Sequence, residues 1–220
     1  ETGLKALVVE DGDRLKFVRM SHGSDHIILA TANGMAVRFK ESDVRSMGRG
    51  SRGVRGISLN AGDQVVGAVV IDAESTEDLL SITENGYGKR TALDEYRVQR
   101  RAGKGLITIQ CSKRNGDLVG ILAASDDREL MMVTSGGVIM RTGMDQISRI
   151  GRNTQGVRLI DLGAGMQVVR AVGLKQLEEE LEEAQHEGLD DAGEEVDEAA
   201  IAAADSAVDG AADADDDPAE

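Results

Sequence analysis

Apolar residues run along this chain in short bursts, and each burst ends at a glycine-bearing polar turn. Three stretches repeat the same order: Asp25 to Ile71, Glu77 to Ala124 and Arg128 to Leu174. Each opens with an apolar run (Ile27-Ile28-Leu29, Leu79-Leu80, Leu130-Met131-Met132-Val133) and reaches a turn at Asn33-Gly34, Asn85-Gly86 or Gly136-Gly137. These dipeptides predict β-hairpins with type I′ turns, which need positive φ at both central residues. A second strand follows through Val37-Arg38-Phe39, Lys89-Arg90-Thr91 or Ile139-Met140-Arg141. A long polar loop then closes on Gly53, Gly105 or Gly156, always 19 residues after the turn glycine. Third strands are predicted at Val54 to Leu59, Leu106 to Gln110 and Val157 to Ile160. Fourth strands are predicted at Val65 to Ile71, Leu118 to Ala123 and Val168 to Val172.

A constant interval in three copies marks a structural repeat, so each copy is read as a four-stranded antiparallel sheet. Residues 1 to 20 fit the same pattern at an offset of 50, Gly3-Leu4-Lys5-Ala6 matching Gly53-Val54-Arg55-Gly56, and are read as the last two strands of an earlier unit. The chain thus begins inside a repeat, and a parent polypeptide with at least four units is expected. The predicted fold is all-β, a propeller-like or pinwheel array of four-stranded antiparallel blades, whose end faces would leave apolar surface uncovered. Leu174, Leu177 and Leu181 predict a short helix over Leu174 to Glu187, within an acidic tail of residues 175 to 220. From Gly188 to Glu220 the Ala-, Asp- and Glu-rich sequence has too little apolar surface to offset its ordering entropy and is expected to be disordered.

Charge changes the picture more than composition does. The net charge of −15 argues against a polyanionic partner until its distribution is seen. Residues 176 to 220 carry 19 of the 40 acidic residues and no Lys or Arg, leaving 21 acids against 25 bases in residues 1 to 175, a net of +4. The cations concentrate in the long loops: Arg45, Arg49, Arg52 and Arg55 in the first, Arg97, Arg100, Arg101 and Lys104 in the second, Arg149, Arg152 and Arg158 in the third. In a radial array equivalent loops share one rim, and a curved positive stripe suits a bent phosphate backbone of double-stranded DNA. The loop glycines would let backbone N–H groups approach phosphates closely. A competing reading is a protein-interaction platform whose loops dock acidic partners. The tail, as a tethered polyanion, is expected to compete with DNA for the rim.

Other chemistry is thin. Phe17, Phe39, Tyr87 and Tyr96 are the only aromatic residues, and Cys111 is the only cysteine, which excludes an intrachain disulfide and fits a reducing, cytoplasmic setting. The apolar stretch from Val65 to Ile71 is too short to span a membrane. Gly48-Arg49-Gly50-Ser51-Arg52-Gly53 has the spacing of a dinucleotide loop but no following helix pattern, Asp213 to Asp217 lacks the glycine and distal glutamate of a calcium loop, the two tyrosines are read as structural, and His22 and His26 are read as surface residues. No catalytic or metal site is predicted.

The loop Gln99-Arg100-Arg101-Ala102-Gly103-Lys104-Gly105 resembles the Gln-Arg-Arg-x-Gly-Lys-Gly box of the C-terminal domain of DNA gyrase A subunits. Val37 to Ser42 with Gly53 to Ile57, Asn85 to Thr91, and Gly151 to Val157 are similar to the same domain, so that the resemblance covers residues 1 to about 174. It implies a six-bladed β-pinwheel that wraps DNA on a basic rim in support of ATP-dependent negative supercoiling. The DNA-binding residues it implies are Gln99, Arg100, Arg101, Gly103, Lys104 and Gly105, joined by Arg45, Arg49, Arg52, Arg97, Arg149 and Arg152. In that family the box belongs to the first blade, whereas here it lies in the second complete unit, so the heptapeptide is either the box itself or a box-like copy with the box upstream. The resemblance also implies a gyrase A dimer joined to gyrase B subunits in an A2B2 assembly on the bacterial nucleoid. ATP and Mg would bind elsewhere in that assembly, and this chain would hold no cofactor. The equivalent subunit of topoisomerase IV is the related alternative.

Overall fold

A computed structural model describes residues 3–175 of the chain. The first unit forms β1 (His26–Thr31), β2 (Met35–Lys40) and β3 (Val65–Ile71); the second forms β4 (Asp78–Thr83), β5 (Tyr87–Ala92), β6 (Leu106–Ile107) and β7 (Leu118–Ala124); the third forms β8 (Arg128–Thr134), β9 (Ile139–Gly143), β10 (Val157–Arg158) and β11 (Val168–Lys175). A single 3-10 turn follows the second strand of each unit, at Glu41–Asp43, Leu93–Glu95 and Met144–Gln146.

The array is all-β, as expected, but the four strands of one unit do not make up one sheet. The sheet orders are β3-β1-β2-β6, β10-β5-β4-β7 and β11-β8-β9. The third strand of the second and third units therefore crosses to the outer edge of the preceding sheet: Leu106 pairs with Ala36 and Ile107 with Met35, while Val157 pairs with Gly88 and Arg158 with Tyr87. These strands are two residues long, shorter than the pattern predicts, because the next two N–H groups leave the ladder for one acceptor. Thr108 and Ile109 both donate to the Gly34 carbonyl, at 2.8 and 3.4 Å, and Leu159 and Ile160 both donate to the Gly86 carbonyl, at 2.8 and 3.3 Å.

The exchange explains three further departures. Val54 to Leu59 forms no strand, since no sheet precedes β1 among the described residues, and of this stretch only Ile57 is buried, against Val37 and Phe39. Residues 3–24 likewise form no strand, and the strands they would pair with are not among the described residues. The third sheet has three strands because no fourth unit follows among the described residues. Leu174 belongs to β11 and not to a helix. The remainder of the predicted helix and the acidic tail lie outside the described residues.

The hairpins also differ from type I′. In each, the third loop residue donates to the threonine ending the first strand: Gly34 to Thr31, Gly86 to Thr83 and Gly137 to Thr134, at 2.9, 3.0 and 3.0 Å. The three glycines share φ of 78°, while Asn33 and Asn85 have negative φ. This is the three-residue loop in which an ordinary turn is followed by one left-handed residue.

Alternating side chains of each sheet feed two different cores. Ile28 and Ala30 of the first sheet meet Leu79, Tyr96, Ile109 and Leu118 of the second. Leu80 and Ile82, on the other face of β4, meet Leu130, Met132, Ile147 and Val168. All six residues of β4 are consequently buried. At the end of the array the pattern breaks, leaving Val138 50% and Ile139 62% exposed. Truncating Leu79 or Leu80, each fully buried, would cost about 2–5 kcal/mol.

The hairpin glycines supply a test. A Cβ on Gly34 would lie 2.2 Å from the Ile109 carbonyl oxygen and one on Gly86 2.8 Å from that of Ile160, but one on Gly137 would meet nothing within 4 Å. Left-handed strain alone costs roughly 1–2 kcal/mol. Chemical denaturation should show Gly137→Ala losing about that much, and Gly34→Ala and Gly86→Ala losing at least about 2 kcal/mol more. Equal losses at the three sites would mean that the exchanged strand contributes nothing at the hairpin.

Candidate nucleic-acid interface

The sheets share a common inner side. The fourth strands β3, β7 and β11 pack against one another in series, so closely that a Cβ on Gly67 would lie 2.4 Å from the Ile121 side chain. The exchanged third strands lie at the opposite edge of their sheets, and the basic loops lead directly into them. Cations at 97–104 thus sit on the outer edge of the first sheet although their own unit builds the second.

Each such loop is held by the same set of contacts, displaced by one unit. Val98 runs parallel to Arg38, and Arg149 parallel to Arg90. Gln99 donates its N–H to the Arg38 carbonyl at 2.7 Å, as Ile150 does to Arg90 at 2.9 Å. Ser58 donates its N–H to the Gly103 carbonyl at 2.9 Å, and Gln110 to that of Thr154 at 2.8 Å. The Arg101 guanidinium donates to the Arg55 and Asp43 carbonyls, both at 3.1 Å, and that of Arg152 to the Ile107 carbonyl at 2.9 Å. Consecutive loops therefore touch, forming one continuous edge.

These contacts divide the predicted residues into two groups. Arg45, Arg49, Arg97, Arg100 and Lys104 are exposed and have no hydrogen bond or ion pair among the described residues, as is also true of the Arg55 side chain. Arg101 and Arg152 are instead staples between units. Gly105 is a spacer with φ of 80°, where a Cβ would lie 2.3 Å from the Ala36 oxygen. Gly156 repeats this against Gly88. Gly103 is half-buried, and Ala102 holds a left-handed φ of 65°. The side-chain amide nitrogen of Gln99 is buried without a partner among the described residues. Arg52 pairs with Glu10 at 3.2 Å and Arg149 with Asp78 at 2.9 Å. Free cations are therefore concentrated in the first two loops, because all three arginines of the third, including Arg158 with Asp161 at 3.0 Å, have partners.

Some residues take places the sequence does not signal. His26 is buried rather than on the surface, because its imidazole accepts from Arg38 Nε at 3.1 Å while Arg38 reaches the Leu93 carbonyl of the next unit at 2.9 Å. Burial and the neighbouring Arg38 and Lys40 push the His26 pKa down, keeping it the neutral acceptor this bond requires. Lys89 is fully buried, and burial pushes its pKa down to about 8. The apolar residues Val37 and Met140 at the equivalent positions give no signal of it. Lys113 and Arg114 are exposed in the turn before β7, Arg114 lying 4.9 Å from the centre of the Tyr87 ring. Tyr96 is a core residue whose hydroxyl bonds Thr108 at 2.6 Å. Burial raises the Cys111 thiol to about 11, which keeps it protonated near neutrality. Among the described residues no cluster of His, Cys, Asp or Glu could hold a metal ion.

The family profile described as "DNA gyrase C-terminal domain, beta-propeller" matches residues 25–72, 77–125 and 128–173. The chain belongs to this family. It is 45% identical over 168 residues to the DNA gyrase A subunit of Staphylococcus epidermidis, covering 76% of the chain and 19% of that protein. To the DNA gyrase A subunit of Escherichia coli it is 44% identical over 181 residues, covering 82% and 20%. The chain therefore spans about a fifth of the length of these relatives. A solved gyrase A C-terminal domain superposes with a TM-score of 0.63 at 28% identity, covering 69% of this chain and 51% of that one. The C-terminal domain of DNA topoisomerase IV superposes with a TM-score of 0.74 at 24% identity, over 81% and 57%, and shows the shared fold.

Within this gyrase-family domain the two arginines of the heptapeptide should separate by experiment. Arg101→Ala is expected to lower stability by about 1–2 kcal/mol, from lost charge-assisted bonds, in thermal denaturation. Arg100→Ala should leave the melting temperature unchanged and weaken DNA binding. A melting loss in Arg100→Ala, with none in Arg101→Ala, would reverse the assignment.

Proposed function

We propose that this chain is the DNA-binding and DNA-bending part of the A subunit of a gyrase, within a type IIA topoisomerase. Duplex DNA follows the outer edge of the sheets, meeting Arg45, Arg49 and Arg55 and then Arg97, Arg100 and Lys104. The observation that carries this reading is the touching series of loops at one edge, with cations left unpaired while their neighbours hold the units together. The unpaired cations follow one another along the edge from loop to loop, so the ligand it fits is an extended polyanion that lies along it.

Bending 20–30 base pairs by 40–90° costs on the order of 1–6 kcal/mol, and release of condensed counterions by several phosphate contacts offsets this. DNA held on such a path would give the enzyme a strand crossing of one hand, which is the basis for ATP-dependent negative supercoiling. Strand cleavage and ATP hydrolysis then belong to other parts of the assembly, with the gyrase A dimer and gyrase B subunits as partners.

The test is salt-dependent binding of a roughly 150-base-pair duplex, the persistence length of DNA. Six contacts predict a loss of about five log units in affinity per tenfold rise in salt. Replacing Arg45, Arg49, Arg97, Arg100 and Lys104 together by Ala should flatten most of that slope. An unchanged slope would place the phosphate contacts elsewhere on the chain and overturn the outer-edge reading.

A further inference from the structure

The third unit's loop lacks what makes the second one basic. Aligned on Gly105 and Gly156, Arg100 corresponds to Gly151 and Lys104 to Gln155. The arginines of this third loop already have partners. Yet the loop has a cation beneath it: Lys89 of β5, fully buried, extends outward from the preceding sheet. Its Nζ donates to the Gly151 carbonyl at 2.6 Å, to Thr154 Oγ1 at 3.0 Å and to the Arg152 carbonyl. Thr154 in turn donates to the Gly151 carbonyl at 3.0 Å, and Thr91 Oγ1 to that of Ile150 at 2.8 Å. No carboxylate makes an ion pair with Lys89 among the described residues; Glu95 and Arg152 are the charged groups facing it.

Two consecutive carbonyls turned in toward one ammonium have a consequence on the other side. In a planar trans peptide the N–H points opposite to the C=O. The N–H groups of Arg152 and Asn153 are therefore directed away from Lys89, and that of Arg152 meets Glu95 Oε2 at 3.0 Å. Gly151 is exposed, and a Cβ there would approach only the Glu95 carboxylate, at 3.7 Å; that carboxylate takes the Arg152 N–H, so the donor turned outward to a phosphate is the N–H of exposed Asn153.

We infer that Lys89 is the positioning residue of a DNA phosphate contact at Gly151–Thr154, folding this loop from below and lending it the positive charge that Arg100 and Lys104 lend to the preceding one. The inference rests on the reading of the outer edge as the DNA path. A buried ammonium beneath a thin loop acts on an approaching phosphate through less water than a surface lysine does, and it also offsets the neighbouring Glu95 carboxylate. Because burial lowers its pKa to about 8, the ammonium is complete well below that pH and is lost as pH rises through it. Arginine contacts do not change over this range.

The experiment measures affinity of the full chain for the same duplex at pH 7 and pH 9, for the natural sequence, Lys89→Met, and Arg100→Ala with Lys104→Ala. Methionine is the residue at the equivalent position of the third unit. The natural chain should bind about threefold to tenfold more weakly at pH 9. Lys89→Met should bind that much more weakly at pH 7, without pH dependence, and amide exchange at 150–156 should quicken. The double variant should bind weakly and keep the pH dependence. Natural affinity in folded Lys89→Met, or the same pH dependence in it, overturns the inference. If Lys89→Met does not fold, a flat profile of the natural chain between pH 7 and 9 overturns it equally. Natural affinity in the double variant would instead overturn the outer-edge reading, and this inference with it.

Discussion

A two-residue strand carried across to the neighbouring sheet, and fastened there by two N–H groups on one hairpin carbonyl, is the contact on which the remaining structure depends. Leu106-Ile107 on β2 and Val157-Arg158 on β5 are too short to be stable as ladders alone. The Gly34 and Gly86 carbonyls extend each of them by a turn of bonding, and the glycines leave the space in which the incoming chain lies. Apolar packing then adds the bulk of the stabilisation, since the sheet with two neighbours buries both of its faces. Exchange makes the units interdependent: the second and third each finish their predecessor, and the third sheet has one strand fewer among the described residues.

The same crossing decides where charge is displayed. A loop bound for its neighbour's outer edge must turn back beside that edge, and its tip cannot be buried. Arg101 and Arg152 direct their guanidinium groups to carbonyls of the preceding units, and those bonds fix the turn. Arg100 and Lys104 flank the stapled residues and remain in solvent. Paired and unpaired cations thus stand side by side in the same heptapeptide. In the third unit's loop the arginines all have partners, and a buried lysine occupies the space beneath the loop.

Much of this is legible in the sequence, because the repeat records the elements faithfully. The turn glycines, the 19-residue interval to the loop glycine and the basic content of the loops all correspond to observed features. The destination of the third strand is not legible: a strand exchanged with the next unit leaves the same period and hydrophobic pattern as one kept at home. Asn-Gly is equally ambiguous, because a glycine with positive φ serves a two-residue loop or a three-residue one. The division of the arginines cannot be read either, since Arg100 and Arg101 are chemically identical neighbours and only the geometry of the turn separates them. His26 reads as a surface residue because its partner, Arg38, lies across the hairpin at a position that looks like an ordinary strand cation.

The central claim is that strand exchange sets the loops in order along one edge and that DNA follows this order. Its most direct test replaces Cys111 by Ser, places single cysteines at Arg45, Arg97 and Arg149 in turn, tethers an iron chelate to each, and maps hydroxyl-radical cleavage on a duplex carrying one fixed binding site. The account predicts three cleavage centres displaced progressively along the duplex in the order 45, 97, 149, each on the face of the helix turned toward the protein. Coincident centres, or an order that does not follow the units, would contradict it.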